Sequence, residues 1–134
     1  MKRKALGYAL VLLAGLGLGI FAGKGLSKEH VKMTPYLQED LGGLDGQEAI
    51  VGLLEVTSEF SFPKHYHPGT ELSYVLEGSL VLDIEGRPPV TLKAGQVFHV
   101  PYRKVHSGQI TGVPFKLLIF RIHTKGQPVR INVE

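Results

Sequence analysis

Residues 65–78 read HYHPGTELSYVLEG, and this stretch carries the main signal of the sequence. Two histidines, His65 and His67, stand two positions apart, and Glu71 follows four residues later. Side chains alternate between the two faces of a strand, so an extended segment presents both imidazoles on one side. Pro68 and Gly69 then bend the chain, which allows the Glu71 carboxylate to return toward the same point. The stretch therefore predicts a metal site on a β-scaffold.

The sequence on either side of this stretch predicts further strands. Turn signals recur roughly every 8–12 residues and no helical period follows residue 49, a pattern typical of a β-sandwich or barrel. We expect six to eight strands, with a hairpin turn at Glu77 and Gly78 and two short strands about Ala94 and Gly95. The segments on which this rests are IVGLLEVTSEFSF, LSYVLEGSLVLDIEG, VTLKAGQVFHVP, PFKLLIFRIH and PVRINVE.

A fourth candidate ligand, His106, comes 35 residues after Glu71, behind the strand and turn GQVFHVPYRKV. Three neutral imidazoles and one carboxylate can bind a single divalent transition ion and leave positions open for another molecule. Imidazole suits iron, nickel, copper and zinc, and a carboxylate also tolerates manganese. Because ligating histidines must be neutral, we expect protons to displace the ion below about pH 6, near the ordinary histidine pKa.

The spacing of these residues resembles the first motif of the cupin superfamily, G-x5-H-x-H-x3-4-E-x6-G. His65, His67, Glu71 and Gly78 stand at its positions, whereas Glu59 replaces its leading glycine.

The second cupin motif, G-x5-P-x-G-x2-H-x3-N, is also visible. Gly95, Pro101 and His106 match it, whereas Arg103 replaces its middle glycine and Ile110 its asparagine. No departure removes a ligand position. The two motifs together cover residues 59–110.

The resemblance implies an all-β fold, a single jelly-roll barrel over residues 50–134. It also implies that His65, His67, Glu71 and His106 hold one divalent metal ion inside the barrel. A metal-dependent enzyme of small molecules, with dioxygenase, isomerase or lyase chemistry, is the first functional hypothesis. The second is a binding module that captures a small ligand or a metal without turnover, and the third is an interaction protein with an idle site. A homodimer is a further possibility that the family suggests.

The first 49 residues are of a different kind. Lys2, Arg3 and Lys4 precede an uncharged apolar run over residues 5–22, a pattern typical of a signal peptide or a membrane anchor. As a helix the run would span roughly 27 Å at about 1.5 Å per residue, close to the hydrocarbon core of a bilayer. We therefore predict an N-terminal hydrophobic helix over residues 1–25, cleaved or retained, and a linker or N-terminal arm over 26–49. The barrel would then lie outside the cytoplasm, anchored to the membrane or released as a periplasmic or secreted domain.

The charge balance argues against nucleic-acid binding. The formal charge is +3, but without Lys2, Arg3 and Lys4 the number of Lys and Arg falls from 15 to 12, equal to the 12 Asp and Glu. A nucleic-acid surface would need a basic patch within the folded domain.

Three further residues have two interpretations each. Arg103 is either an exposed loop residue or a residue that binds an anionic substrate through bidentate hydrogen bonds from its guanidinium. His99 is either a fifth ligand or, as we predict, a residue on the opposite face of its strand. His123 either lines the mouth of the pocket or, as we predict, points to solvent.

Overall fold

The computed structural model describes residues 29–134, in which every regular element is a β-strand. The predicted helix over residues 1–25 lies outside this range. No helix in residues 29–134 is long and apolar enough to cross a membrane. The strands are β1 (Val31–Asp40), β2 (Gln47–Val56), β3 (Phe60–Tyr66), β4 (Gly69–Ile84), β5 (Val90–Lys93), β6 (Val97–Val100), β7 (His106–Thr124) and β8 (Ile131–Asn132).

All eight strands join into one antiparallel sheet. β7 is the central strand, because it pairs with β2, β3 and β4 along its length. β4 pairs in addition with β5 and β6, while β1 continues the sheet beyond β2 and β8 continues it beyond β3. This arrangement is the predicted all-β jelly roll.

The interior of the barrel is filled by the inward side chains of alternating strands. The burial of β4 and β7 alternates residue by residue, as expected for strands that face a core on one side. Phe115 and Val75 are fully buried at the centre. The other buried apolar residues are Leu54, Val56, Leu80, Leu82, Ile84, Leu92, Val100, Ile110, Leu117 and Ile119.

The predicted hairpin turn at Glu77 and Gly78 is wrong. β4 runs without interruption from Gly69 to Ile84, and its pairing with β7 shifts register around residues 75–80. Gly78 has φ +77° there, and a side chain at this position would collide with the backbone oxygens of Gly112 and Pro114. The glycine therefore marks a bulge that bends a long strand around the barrel, because only a residue without Cβ fits so close to the neighbouring strand.

The segment expected to be a linker or N-terminal arm contains β1, whose ten residues pair with β2. The described sheet thus begins at Val31, within residues 26–49 and ahead of the predicted start of the barrel at residue 50. A turn in the segment LGGLDG lies between these strands, where the Leu44 amide donates to the Leu41 carbonyl. The pair of short strands about Ala94 and Gly95 is present as β5 and β6.

Candidate metal centre

Strand register brings three of the predicted ligands together inside the barrel. His65 on β3 pairs directly with His106, the first residue of β7, and His67 follows the end of β3. The centroids of their rings lie 4.2 Å apart for His65 and His106, 4.9 Å for His65 and His67, and 5.2 Å for His67 and His106. One nitrogen of each ring lies within 4.8 Å of the other two, and all three residues are buried.

A hydrogen bond to a backbone carbonyl orients each of the three imidazoles. Nδ1 of His65 lies 2.7 Å from the Pro63 oxygen, and Nδ1 of His106 lies 3.0 Å from the Lys104 oxygen. Nδ1 of His67 lies 2.6 Å from the carbonyl of Val129, which is 62 residues further along the chain. A carbonyl can only accept, so each Nδ1 carries the proton and each neutral ring presents a bare Nε2.

Burial keeps these rings neutral. It lowers the pKa of His65 to about 3, with further contributions from His106 and Arg130. Burial, followed by the positive charge of Arg121, lowers the pKa of His67 to about 3 as well. The pKa of His106 is also lowered, mainly by burial. Three uncharged imidazole rings, each with a nitrogen lone pair that can bind a metal ion, are therefore close together at neutral pH.

This donor set fits a divalent transition ion. Histidine ligands of metal sites usually donate their second nitrogen to a carbonyl or carboxylate, which fixes the tautomer and the ring orientation. All three rings have that arrangement here. Within residues 29–134, Nε2 of His65 and of His106 has no hydrogen-bond partner of its own. The residues therefore fit a bound ion better than they fit a hydrogen-bonded histidine cluster.

Glu71, the fourth predicted ligand, lies beside the histidines but is bound by other groups. Its Oε2 is 3.3 Å from Nε2 of His67. Nε and Nη2 of Arg121, which pairs with Glu71 across β4 and β7, each lie 2.8 Å from the same oxygen. Ser73 Oγ donates to Oε1 at 2.9 Å. Burial alone would raise the carboxyl pKa, yet the cation of Arg121 and the other neighbours bring it down to about 2.

Sequence reasoning missed Arg121, which also approaches His67 directly, with Nη2 3.4 Å from Nε2. The signal was present in the alternation of the segment LLIFRIH. Arg121 occupies the same face as Ile119 and His123, both of which point into the barrel. An arginine at an inward position of an apolar strand needs a buried acidic partner, and Glu71 is that partner.

The C-terminal segment was predicted as a last strand but not as part of the site. The Val129 carbonyl orients His67, and β8 pairs with β3 so that Asn132 lies opposite His65. Arg130 lies between them and donates through Nε to the Asn132 side chain at 2.9 Å.

The predictions for the other histidines and for Arg103 have different outcomes. His99 is exposed on β6, as expected. His123 is only 1% exposed, so its predicted solvent position is wrong; its Nε2 donates to the Gln127 carbonyl at 2.9 Å. Arg103 lies on the outside with its guanidinium 5.3 Å from the Tyr66 ring centroid, and its φ of +55° lies in the left-handed region that favours glycine.

Two shallow cavities in the described part of the chain lie away from the histidines. One, of about 340 Å³, is lined by residues around Phe60 and Ile110, and the other, of about 250 Å³, by residues around Leu82 and His99.

Comparison with known proteins identifies the class. The family model of the cupin domain matches residues 52–120, more than half of the chain. The chain therefore belongs to the cupin family. No curated protein sequence matches it significantly.

Solved structures with the same fold are distant in sequence. A cupin superfamily protein from Desulfitobacterium hafniense has a TM-score of 0.60 at 20% identity, over 75% of this chain and 84% of that one. The DMSP lyase DddQ from Ruegeria pomeroyi has a TM-score of 0.62 at 21% identity, over 83% of this chain and 57% of the lyase. An RmlC-like cupin from Shewanella frigidimarina has a TM-score of 0.51 at 23% identity, over 67% of this chain and 86% of that one.

Proposed function

We propose that this chain is a metal-dependent cupin that binds one divalent transition ion through His65, His67 and His106. The observation that carries the proposal is the set of three Nδ1 bonds to backbone carbonyls, which leaves each Nε2 unprotonated, in three rings that each have one nitrogen within 4.8 Å of the other two. Glu71 is the fourth ligand of the proposal, since its Oε2 lies 3.3 Å from Nε2 of His67.

The proposed activity is conversion of a small molecule by dioxygenase, isomerase or lyase chemistry. When bound, the ion would act as a Lewis acid or as a centre for oxygen binding. The residues around it hold the histidines neutral and keep the Glu71 carboxylate ionised at neutral pH. Two of the structural neighbours are described as DMSP lyases, which places lyase substrates among the first to be screened.

One observation favours the alternative, a non-catalytic module that binds a metal or a small ligand. Glu71 is the buried carboxylate nearest the histidines and the natural candidate for a general base. Both of its oxygens are already engaged, by Arg121 and by Ser73. A base must be free to take up a proton, so turnover requires the Arg121 contact to change.

Metal binding is tested by calorimetric titration of the described domain with zinc, nickel, manganese, iron(II) and copper. We expect one ion per chain, and loss of binding in His65→Ala and His106→Ala. His99→Ala removes an exposed imidazole and is the matched control, with unchanged affinity. Binding that survives both ligand substitutions, or that His99→Ala abolishes, contradicts the proposed centre.

Experiments on the metal-loaded protein distinguish the two hypotheses, an enzyme and a non-catalytic binding module. Oxygen uptake and product formation are measured over a substrate panel, with Glu71→Ala and His106→Ala in parallel. The enzyme proposal expects turnover that both substitutions abolish. Thermal stabilisation by one compound with no product supports the module, and a chain that binds none of the five metals supports an interaction protein with an idle site.

We also propose that the domain is exported and either anchored through residues 5–22 or released after cleavage. The support is the sequence pattern of three basic residues before an 18-residue apolar run. The mass of the mature N-terminus and the membrane fraction of the protein in its own host test this. A full-length chain recovered from the cytoplasm would contradict it.

A homodimer is proposed through the outer face of β4 and β7. Leu72 and Phe120 pair directly across these strands and are 44% and 43% exposed, and Ile122 and Tyr74 extend the same apolar face. Monomeric proteins seldom expose apolar patches of this kind. Light scattering should give twice the chain mass, and Phe120→Glu should halve it; a monomeric unmutated domain would refute this proposal.

A further inference from the structure

Arg130 carries a positive charge that no acidic residue balances. Its Nε bonds to the Asn132 side chain at 2.9 Å, and its Nη2 lies 3.4 Å from the Pro63 carbonyl. Both partners are neutral, and among residues 29–134 no carboxylate forms an ion pair with Arg130. The guanidinium is partly buried and lies 6.0 Å from the centroid of the Phe62 ring. A partly buried charge with only neutral partners has a cost in desolvation free energy, which a bound anion from outside the protein would offset.

This unbalanced charge lies directly beside the histidines. The Pro63 carbonyl that contacts Arg130 also accepts the hydrogen bond from His65 Nδ1. Asn132, the other partner of Arg130, pairs with His65 across β3 and β8. Arg130 is thus one hydrogen-bonded group, the Pro63 carbonyl, away from the ring of His65.

Arg121 supplies a second guanidinium at the same place. Its Nε and Nη2 bond to Glu71, whereas its Nη1 has no hydrogen-bond partner in the described part of the chain. The same is true of Nη1 of Arg130. The two cations are close enough that Arg121 contributes to the lowered pKa of Arg130, after burial. Two positive charges therefore face a single negative one, Glu71, around three neutral rings.

A bound divalent ion would add further positive charge to this surplus. Guanidinium groups bind carboxylates and phosphates through paired N–H donors.

We infer that the site takes a small carboxylate anion as its ligand or substrate, and that Arg130, with the free Nη1 of Arg121, recognises it. This inference names the substrate class of the metal centre and so rests on the proposed function for its biological meaning. The two arginines are part of the protein whether or not an ion is bound, so anion binding can be measured separately from metal binding.

The test titrates the domain, in zinc-loaded and metal-free form, with succinate, with its neutral diamide succinamide, and with inorganic phosphate. We expect succinate to bind, more tightly with zinc, and succinamide to bind at least about tenfold more weakly, because the amide removes the charge that assists the hydrogen bonds. Arg130→Gln should lower succinate affinity at least about tenfold in both forms while zinc affinity stays the same. Arg121 is less suitable as a probe, because its loss would leave Glu71 unpaired.

Two further variants make the result specific. Arg87→Gln removes the same charge from an exposed turn and should leave succinate affinity unchanged. Arg130→Lys keeps the charge without the fork and should bind succinate with intermediate affinity. Equal losses in the Arg87 and Arg130 variants, equal binding of succinate and succinamide, or binding of phosphate without succinate would each overturn the inference. Failure to bind zinc while Arg130 still governs succinate binding would overturn the proposed metal centre alone.

Discussion

Arg121 and Glu71 form a buried ion pair across β4 and β7, with two guanidinium nitrogens each 2.8 Å from one carboxylate oxygen. The pair lies directly beside His67, whose Nε2 is 3.3 Å from the carboxylate and 3.4 Å from the guanidinium. An arginine cation therefore occupies the space next to the nitrogens that would hold an ion. Metal binding through Glu71, as proposed, would compete with the Arg121 contact for the same carboxylate.

The first prediction concerns removal of this cation. Arg121→Met should lower the free energy of unfolding of the metal-free domain by about 3 kcal/mol, because it leaves a buried carboxylate without a partner. The same substitution should raise zinc affinity, since the competing cation is gone and Glu71 is free to bind the ion. Urea unfolding and zinc calorimetry measure the two effects.

Lys116→Met is the matched control, since it breaks an exposed pair in which Lys116 Nζ lies 3.7 Å from Glu77. It should cost less than about 1 kcal/mol and leave zinc affinity unchanged. Weaker zinc binding in Arg121→Met would mean that the arginine supports the ion rather than competing with it.

The second prediction is loss of stability in acid. The unfolded chain protonates its histidines near pH 6.5, whereas the folded protein holds His65 and His67 neutral down to about pH 3. The unfolded state thus binds more protons in this window, and the free energy of unfolding falls as pH drops from 6.5 toward 3. Glu71, with its pKa lowered to about 2, adds a further loss below pH 4.5.

Urea unfolding of the metal-free domain at a series of pH values measures this loss. His65→Gln should flatten the pH dependence between 6.5 and 3, whereas His99→Gln, which changes an exposed histidine, should leave it unaltered. A stability that is constant across that window would show that the histidines titrate normally in the folded protein.

The third prediction is the pH at which protons displace a bound ion. An ordinary histidine would compete with the metal below about pH 6. Because burial lowers the pKa of His65 and His67 to about 3, protons compete for these nitrogens only at more acidic pH. Zinc affinity of the folded domain should therefore change little between pH 7 and pH 5. A decline of about tenfold per histidine per pH unit from pH 6 downward would contradict the burial argument.

The fourth prediction separates two reasons for glycine at positions of positive φ. Gly78→Ala should destabilise the domain by about 3 kcal/mol or prevent folding, because the new methyl group meets the Gly112 and Pro114 oxygens and φ is positive. Gly95→Ala should cost only about 1 kcal/mol, since φ is again positive, at +89°, but nothing lies within 4 Å. Urea unfolding measures both variants. Equal costs would show that the close approach of β4 and β7 is not restrictive.

The fifth prediction concerns the positive φ of Arg103. Arg103→Gly and Arg103→Ala both remove the contact with the Tyr66 ring, but only glycine adopts φ +55° without steric cost. The glycine variant should therefore unfold at a higher urea concentration than the alanine variant. The reverse order would show that the loop relaxes to another conformation when the arginine is lost.

Local sequence was sufficient for the fold class and for three histidines of the candidate site. His65 and His67 are two positions apart, and residues at this spacing lie on the same face of a strand because side chains alternate between its faces. This alternation depends only on neighbouring residues. The two cupin motifs supply the spacing that links these two histidines to His106. The turn predicted at Gly78 failed for a physical reason: a glycine with positive φ serves a hairpin turn and a bulge equally well. Nothing in the local pattern distinguishes the two.

The tertiary structure decided what surrounds those histidines. Arg121 meets Glu71 only because β4 and β7 pair in one register, and a shift of one residue would turn each side chain to the opposite face. The Val129 carbonyl reaches His67 across 62 residues because β8 pairs with β3. Alternation and turns, which are local properties, determined an all-β fold with two imidazoles on one face, and the resemblance to the cupin motifs implied the barrel and the third imidazole. The balance of charge around the imidazoles depends on contacts between distant strands, which only the folded sheet establishes.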